Sequence, residues 1–387
     1  MTSFTKDKSR QRIVTARKRP GAAPTVRIST FADYGGVAAL LGRNGLPIRP
    51  REDWITYWKG NPAFEQRHGD WPIGWVLEDQ DGEIVGSISN VPLAMQFSGR
   101  PVRAAAACSW AVDPIYRGYA LQIFNEWMRQ KHVDLGMSTT VSAASHTAYE
   151  AFRWARVPAG DWSKAEFWIT NHRSLIRSLL TAKAVPLAGA WSWLACAGLA
   201  GVDRCRSYSL GRIASTAEIG WSTDFGDRFD EFWSELQHQG CQVLLADRSR
   251  ETLAWHFRIG LARRSVWILT ATRRSRLVAY GVFDRLDHQK LGFTRIRFVD
   301  FQALRGEEEL LRVFLASALE RCRKERIDML EITGGWLRRE SLPAIAPPHG
   351  RALGSWTYYY KPSEEFRAAL TGPAAWAPTS YDGDASL

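Results

Sequence analysis

A chain of 387 residues is longer than one ordinary domain, and its 45% apolar and 24% charged residues are those of a globular protein. Five scattered cysteines without Cys-x-x-Cys spacing indicate neither a disulfide framework nor a metal site, and they favour a reducing, cytoplasmic location. The net charge of +11 does not predict a nucleic-acid surface, because +6 of it falls within residues 1–19. DNA is therefore not expected as a partner, and RNA is disfavoured.

Residues 1–25 are predicted to form a basic disordered tail, with a polybasic contact to anionic lipid as the alternative. Behind this tail, residues 26–172 are predicted to form a first domain. It opens with the strand "TVRIST" and the helical stretches "FADYGGVAALLGRNG" and "REDWITYWKG". Three strands follow between residues 73 and 114, because Asp81-Gly82 and Gly99 suit hairpin turns.

The rest of the first domain alternates helices with strands. A helix is predicted from about Gly118 to Val133, followed by the strand "MSTTVSAAS", the helix "HTAYEAFRWA" and a last strand near "EFWIT". This order predicts a mixed α/β (α+β) domain.

The segment "AVPLAGAWSWLACAGLAGV", residues 184–202, has no charge over 19 residues and has the length of a membrane span. Its many Ala, Gly, Ser and Pro residues instead favour a helix between domains, so residues 173–206 are predicted to be an apolar inter-domain helical linker. The alternative is a peripheral helix on a membrane surface, with Trp191 and Trp193 at the head groups.

Residues 207–362 are predicted to form a second domain, and residues 363–387 a C-terminal tail. The run from Ser265 to Gly334 repeats the strand, turn, strand, strand, helix, strand order of the first domain. The sequence therefore predicts a tandem of two domains, each with a central mixed, mostly antiparallel sheet flanked by helices. Three matching pairs, 187 to 193 residues apart, support it: Trp75 and Trp267, Val112-Asp113 and Val299-Asp300, Thr140 and Thr333.

The stretch "VDPIYRGYALQIF", residues 112–124, predicts a strand end, a turn and the start of a helix. A basic loop at a helix N-terminus can hold a phosphate with backbone N–H groups and the helix dipole. Such loops usually contain two or three glycines, whereas this one has only Gly118.

The run from Gly74 to Phe124 resembles the acyl-CoA-binding half of the GNAT (GCN5-related N-acyltransferase) superfamily. In that family a Val-Asp-Pro-like turn ends the fourth strand, and a loop Arg-x-x-Gly-x-Gly/Ala binds the CoA pyrophosphate. The likeness covers residues 26 to about 172. The second domain is similar to the FemAB-like variety, with "TLAWHF" where a Leu-x-Trp-Arg-Tyr stretch is common. A tandem of this kind is similar to acyltransferases of bacterial exopolysaccharide, holdfast and envelope-glycan clusters.

The resemblance implies acyl-CoA, for instance acetyl-CoA, as co-substrate, and no metal. Ala120 replaces the central glycine of the family loop, and Gln122 replaces a small residue. The second domain has "LRGEEELL" at this point, and its glutamates would repel a diphosphate, so CoA is not expected there. The implied cofactor-binding residues are the strand residues Ala111 and Val112, one of which would polarise the thioester through its N–H, and the loop residues Arg117, Gly118, Tyr119, Ala120, Leu121 and Gln122.

The resemblance also implies a tyrosine early in the helix after the fifth strand, which protonates the leaving thiolate, and Tyr149 matches that position. No Asp or Glu lies in the fourth strand, so Glu78 at the end of an earlier strand is the candidate general base, with His146 as a further option. Cys108 and Ser109 have no oriented base beside them in sequence, and a covalent intermediate is not predicted.

Eighteen tryptophans favour a sugar acceptor, because indole faces stack on sugar rings. We therefore expect an N-acyltransferase acting on an amino sugar of an envelope or exopolysaccharide precursor, with Trp255, Arg258 and Tyr280 as candidate substrate-binding residues. Two alternatives stay open. One is a FemAB-like transferase using aminoacyl-tRNA, which the basic tail would contact. The other is a non-catalytic nucleotide-binding regulator of polysaccharide synthesis.

Overall fold

The structure is a computed structural model that describes residues 23–67, 70–183, 216–239, 242–334 and 347–387. Most of the predicted basic tail and the whole of segment 184–202 lie outside the described residues. The described chain forms two mixed sheets flanked by helices, which confirms the predicted fold class.

The strands alternate with short turns in the order that the hairpin signals predict. Gly82 and Gly99 both have positive φ, 76° and 75°, which suits the two predicted turns. In chain order the strands are β1 (Thr25–Ile28), β2 (Gly74–Glu78), β3 (Ile84–Phe97), β4 (Arg100–Val112), β5 (Leu135–Ser142), β6 (Ala155–Arg156), β7 (Asp161–Ile169), β8 (Glu218–Ser222), β9 (Leu244–Ala246), β10 (Val266–Arg273), β11 (Arg276–Arg285), β12 (Arg295–Ala303), β13 (Met329–Gly334), β14 (His349–Ala352) and β15 (Ser355–Pro362).

The helices are shorter than the sequence pattern predicts. The helix expected to run from Gly118 to Val133 begins as a 3₁₀ turn and ends at Met128. The α-helices are α1 (Tyr34–Arg43), α2 (Arg51–Ile55), α3 (Pro62–Glu65), α4 (Ala120–Met128), α5 (His146–Ala151), α6 (His172–Ala182), α7 (Arg228–His238), α8 (Arg250–His256), α9 (Arg258–Ala262), α10 (Leu310–Lys324) and α11 (Glu364–Arg367). The 3₁₀ helices are Phe31–Asp33, Pro114–Tyr119, Ala143–Ser145 and Pro373–Ala375.

The two sheets have the same strand order. The first runs β1-β2-β3-β4-β5-β15-β6, with β9 added beside β3, and the second runs β8-β10-β11-β12-β13-β7-β14. In each, the fourth and fifth strands are parallel and their other neighbours are antiparallel. The fourth strands also end alike, since the N–H of Asp113 donates to Val85 O and that of Leu304 donates to Val278 O. Leu304, rather than Asp300, is thus the counterpart of Asp113.

Each sheet is completed by a strand from the other half of the chain. β7 pairs with β13 in the second sheet, and β15 pairs with β5 in the first. The predicted boundaries at residues 172 and 207 therefore do not separate the two sheets, because each sheet contains a strand from beyond the boundary. Such an exchange ties the two halves together, because separating them would expose the ladders of two interior strands.

Small residues let the helices approach the centre of the first sheet. In β4, Ala104, Ala105 and Ala106 are fully buried. Opposite them, Gly136 of β5 lies so close to the Trp154 ring that an added Cβ would stand only 2.9 Å from it. The Trp154 ring packs on this flat surface. Most tryptophans of the first half, for which the sequence suggested stacking on sugars, are core residues: Trp54, Trp58, Trp71, Trp75, Trp154 and Trp162. These six tryptophans are therefore explained by packing.

Residues 363–387, predicted as a tail, are folded against the sheets. Their buried members include Thr379, Ser380 and Asp382, which are 0 to 3% exposed. We call residues 376–387 the final segment.

Candidate active site

β4 and β5 are paired over only three residues each, Ala104–Ala106 with Leu135–Met137. Beyond these pairs β4 continues to Val112 and β5 to Ser142 without further ladder pairs, and the bond from Ser138 Oγ to the carbonyl of Ala107 links them just past the last pair. The strands diverge there and leave an opening in the first sheet, called here the β4/β5 opening. Their facing backbone edges lie outside the ladder, and on β5 the N–H of Thr139 is bonded to Asp384.

A bulge in β4 lies at this opening. Cys108 pairs with Ser89 and Ala111 pairs with Ser87, so β4 has one residue more than β3 over this interval. Within it, Ser109 has φ of 52°, in the left-handed region that non-glycine residues seldom adopt. Bulges of this kind break the ladder locally and change the direction of backbone groups.

One of the two N–H groups predicted to polarise a carbonyl points into the opening. The N–H of Asp113 donates to Val85 O of β3 at 2.9 Å. Successive N–H groups of a strand point to opposite edges, so the N–H of Val112 is directed away from β3, towards β5. The N–H of Ala111 points back to β3.

Tyr149 lies beside the point where the strands diverge. Its phenol donates to Ser138 Oγ at 3.0 Å, and Ser138 Oγ donates to the carbonyl of Ala107 at 3.1 Å. Tyr149 is only 3% exposed. Burial raises the pKa of its phenol, more than the hydrogen bond to Ser138 lowers it. The phenol therefore holds its proton throughout the neutral range, and its role as proton donor stays a prediction.

A carboxylate that the sequence did not indicate lies in the opening. Asp384 of the final segment accepts hydrogen bonds from the N–H of Thr139 at 2.7 Å, from Thr139 Oγ1 at 2.6 Å and from Thr140 Oγ1 at 2.6 Å. Burial and then the negative charge of Asp384 raise the pKa of Cys108, which keeps that side chain a thiol. No spacing or motif links residue 384 to β5, and only the folded chain brings them together.

The final segment is fixed to the second sheet by a buried charge network. Arg248, which is 0% exposed, donates to Asp300 twice at 3.0 Å and to Asp382 at 3.1 Å. Thr379 Oγ1 also donates to Asp300, at its Oδ1, over 2.8 Å. A segment anchored on the second sheet thus supplies Asp384 to the first.

The predicted phosphate loop is an exposed turn at the end of β4. Residues Pro114–Tyr119 form a 3₁₀ helix, and α4 starts at Ala120. The bonds that hold the turn include those from Arg43 Nη2 to Asp113 Oδ2 at 2.8 Å, from Asn44 Nδ2 to Asp113 Oδ1 at 3.0 Å and from Tyr116 OH to Asp79 Oδ2 at 3.3 Å. The predicted contact residues Arg117, Gly118, Leu121 and Gln122 are exposed, while Tyr119 and Ala120 are half-buried. The N–H of Ala120, the first residue of α4, donates to the carbonyl of Arg117, so the group that the turn offers at the surface is the exposed side chain of Arg117.

The predicted base Glu78 is not brought into the opening. Leu77 pairs with Gly86, which pairs with Val112, so this end of β2 lies two strands, about 10 Å, from β4. The Glu78 carboxylate instead forms an ion pair with Arg27 of β1. His146 is also occupied, since its Nε2 lies 3.0 Å from Thr357 Oγ1 of β15.

The three candidate substrate residues of the second half have polar partners inside the protein. Trp255 Nε1 donates to Thr56 O at 2.8 Å, and Arg258 Nη2 donates to Thr56 Oγ1. Burial lowers the pKa of Arg258 to about 10. Tyr280 is 0% exposed and donates to Asp300 Oδ2 at 2.9 Å. Trp255 and Arg258 thus join the two halves, and a substrate contact by any of the three stays a prediction.

A mixed sheet with parallel, diverging fourth and fifth strands, a bulge in the fourth and a helix after it is the fold of the GNAT acetyltransferases. A search of the solved structures agrees. Similar structures include a GCN5-related N-acetyltransferase from Anabaena variabilis, with a TM-score of 0.53, 12% identity, and coverage of 87% of this chain and 72% of that one. Another from Kribbella flavida has a TM-score of 0.53, 13% identity and coverage of 88% and 71%.

The similar structures also include an N-myristoyltransferase. Saccharomyces cerevisiae N-myristoyltransferase with bound myristoyl-CoA has a TM-score of 0.50, 11% identity, and coverage of 89% of this chain and 80% of that one. Neither a scan of family models nor a search of curated proteins gives a match. The chain therefore shares the GNAT fold at low sequence identity.

Two further features concern only the described parts of the chain. None of the helices there is long and apolar enough to cross a membrane. No group of three or more His, Cys, Asp or Glu side chains among those residues could hold a metal ion. Membrane contact through residues 1–25 or 184–202 stays a prediction.

Proposed function

We propose that the chain transfers an acyl group from acyl-CoA to an amine, the acceptor being an amino sugar of an envelope or exopolysaccharide precursor. The observation that carries the proposal is the β4/β5 opening, where a buried phenol and a carboxylate stand beside an outward N–H of β4. Acyl transfer needs such a set, since it requires a polarised carbonyl, a deprotonated amine and a proton for the leaving thiolate.

The donor would lie along the open edge of β4. Its thioester oxygen would accept the N–H of Val112, and its pyrophosphate would lie at the start of α4, near Arg117. The exposed turn from Pro114 to Tyr119 supports this placement, because nothing in the described chain covers it. The myristoyl-CoA bound to the yeast enzyme of the same fold also supports acyl-CoA as the donor.

The reaction is a nucleophilic substitution at the thioester. The amine nitrogen attacks the carbonyl carbon, the C–N bond forms and the C–S bond breaks. Asp384 takes the proton that the amine loses, and Tyr149 gives its proton to the CoA sulfur. Proton return from Asp384 to Tyr149 through solvent then restores both groups, so that amide and CoA thiol are the products.

We further propose that the two halves arose by duplication, with the FemAB-like second half acting in support. The common strand order and a bulge in both fourth strands favour this origin. In the second half the turn after β12 is acidic, and Glu307 pairs with Arg273 at 2.6 Å. We therefore assign acyl-CoA to the first half alone, and to the second half the supply of Asp384.

Calorimetric titration with acetyl-CoA and longer acyl-CoA tests the donor. One site per chain is expected, and the absence of heat up to millimolar CoA and acyl-CoA would overturn the proposal. Turnover is then measured with glucosamine and with a peptide amine of similar basicity. Binding without turnover of any amine would favour the nucleotide-binding regulator, whereas salt-sensitive binding of aminoacyl-tRNA would favour the FemAB-like transferase.

A further inference from the structure

A second cavity lies at the other end of β4. It has a volume of about 640 Å³, which is within the usual range of small-molecule sites. Val102, in its wall, precedes Ala111 by nine residues of extended strand, about 30 Å. Trp75, also in its wall, pairs with Ile88 opposite the bulge of β4 and so lies two strands, about 10 Å, from it. The cavity is separate from the β4/β5 opening because Val112, Tyr149 and Asp384 are not among its lining residues.

The deep wall of this cavity is apolar. Trp71, Trp75, Met95 and Val102 line it, and each is between 1 and 7% exposed. Side chains of this size and burial provide a rigid surface for a hydrocarbon chain.

The polar groups near the wall are already bonded. Trp71 Nε1 donates to the carbonyl of Asn90 at 2.9 Å, and the side-chain amides of Asn90 and Gln130 bond to each other at 3.0 Å. The guanidinium of Arg67 covers the Trp71 ring at 4.2 Å. These bonds use the polar groups of Trp71, Asn90 and Gln130, and Arg67 covers the Trp71 ring. The deep wall therefore suits an apolar part of a ligand, and polar contacts are left to the rim.

The rim of the cavity is cationic. Its side chains include Arg67, Arg103 and Lys131, with one carboxylate, Asp70. Arg103 is neutralised by Asp134 at 3.0 Å, whereas no described carboxylate forms an ion pair with Arg67. Burial and then the nearby Arg103 lower the pKa of Arg67, whereas the charge of Asp134 raises it. An anionic head group would give Arg67 a direct ion pair.

We propose that this cavity binds a long-chain fatty acid, with its carboxylate against Arg67 and Lys131 and its chain over Trp75 and Val102. The site is independent of the proposed acyl transfer, because it neither includes nor adjoins Tyr149 or Asp384. A fatty acid has the two features that the walls and rim require, one apolar chain and one negative charge.

Calorimetric titration of the full chain with monomeric dodecanoate tests the site. One dodecanoate per chain is expected, with dodecanol binding at least fivefold more weakly because it lacks the charge. Lys131→Glu is expected to weaken dodecanoate at least fivefold and to leave dodecanol unchanged. The matched control is Arg129→Glu, which makes the same charge change at an exposed residue outside the cavity wall and should leave both affinities unchanged.

The proposal would be overturned if dodecanoate did not bind saturably, or if Lys131→Glu and Arg129→Glu lost the same affinity for it. It would also be overturned if acetyl-CoA displaced dodecanoate, or if the protein bound only to anionic vesicles. Displacement would place the fatty acid in the β4/β5 opening, and the vesicle result would indicate a lipid surface. Because Lys131 is exposed, Lys131→Glu is expected to fold normally, and a loss of affinity in this variant reports on the cavity. A protein that did not bind acyl-CoA could still bind dodecanoate in this cavity, so the two titrations test the two proposals independently.

Discussion

The phenol of Tyr149 is bonded to Ser138 Oγ at 3.0 Å, although one residue lies on α5 and the other on β5. The bond fixes the phenol at the point where β4 and β5 diverge. Since burial raises its pKa, the phenol is protonated where a thiolate would leave. A protonated acid in a fixed position is what acyl transfer requires on the leaving-group side.

Tyr149→Phe is expected to lower kcat about 10²- to 10³-fold and to leave acyl-CoA affinity unchanged, because only the proton donor is lost. In the wild type, the raised pKa predicts no loss of rate from this group as the pH rises from 7 to 9. Steady-state rates over that range check both points. The matched control is Tyr359→Phe, whose ring stacks on Tyr149 at 5.2 Å and whose phenol faces Glu150. Equal rates for the two variants would remove Tyr149 from the mechanism.

Asp384→Ala is expected to lower kcat about 10²- to 10³-fold, because the amine loses its proton acceptor. Added formate should restore part of the rate by supplying a carboxylate in the vacated space. Thr140→Val removes only one of the three hydrogen bonds to Asp384, so a loss of roughly tenfold without rescue is expected. If formate leaves the rate of Asp384→Ala unchanged, Asp384 positions the final segment and is not the base.

The order of strands and the candidate acid follow from the sequence, since both depend on local pattern. Alternating apolar residues and glycine turns predict β2, β3 and β4, and Tyr149 follows from its place in the helix after the fifth strand. The pairing partner of a strand cannot be predicted in this way, because alternation with a period of two shows which face of the strand is buried but not which sheet it joins. The sequence therefore gives no indication that β7 and β15 are exchanged between the sheets.

The sequence predicts neither the position of Asp384 beside β5 nor the left-handed conformation of Ser109. Asp384 approaches β5 from a position 245 residues away, and no spacing encodes such a contact. A left-handed backbone conformation is usually predicted at a glycine, but in the bulge of β4 a serine, Ser109, adopts it. Gln122, which replaces a small residue of the family loop, is exposed, and its effect on a diphosphate depends on a rotamer that the sequence does not define.

The phosphate loop can be tested at two positions. Arg117→Ala is expected to weaken acetyl-CoA binding roughly tenfold, because a charge-assisted contact to phosphate is lost. Gln122→Ala is expected to leave the affinity unchanged or to tighten it, since the exposed amide has room to point away. Arg129→Ala, at the other end of α4, is the control for charge alone. Unchanged affinity in Arg117→Ala would show that this loop does not hold the pyrophosphate.

The left-handed conformation of Ser109 predicts a sharp dependence on side-chain shape. Ser109→Val should destabilise the protein by about 1–3 kcal/mol, because a β-branched residue is strained at positive φ. Ser109→Gly should be within about 0.5 kcal/mol of the wild type, as relief of strain offsets the added freedom of the unfolded chain. Urea unfolding measures both. A valine variant as stable as the glycine variant would mean that the bulge is not formed at Ser109.

The buried Arg248 network predicts a loss of stability that depends on pH. Burial acts to raise the pKa values of both Asp300 and Asp382; Arg248 opposes it and holds that of Asp300 below its usual value, while that of Asp382 stays raised. In Arg248→Met both carboxylates lose their counter-ion, so a loss of about 3–5 kcal/mol is expected at pH 7. The missing charge lets both pKa values rise further.

As the pH falls to 5, the folded Arg248→Met variant takes up protons that its unfolded state does not, and its deficit relative to the wild type should shrink. Arg250→Met is the control, because Arg250 is half-exposed and its pairs with Asp227 and Asp230 lie at the surface. Its loss should stay below about 1 kcal/mol at both pH values. Urea unfolding of the three proteins at pH 7 and pH 5 provides the comparison. A deficit for Arg248→Met that is under 1 kcal/mol, or equal at the two pH values, would contradict a buried ion network as the anchor of the final segment.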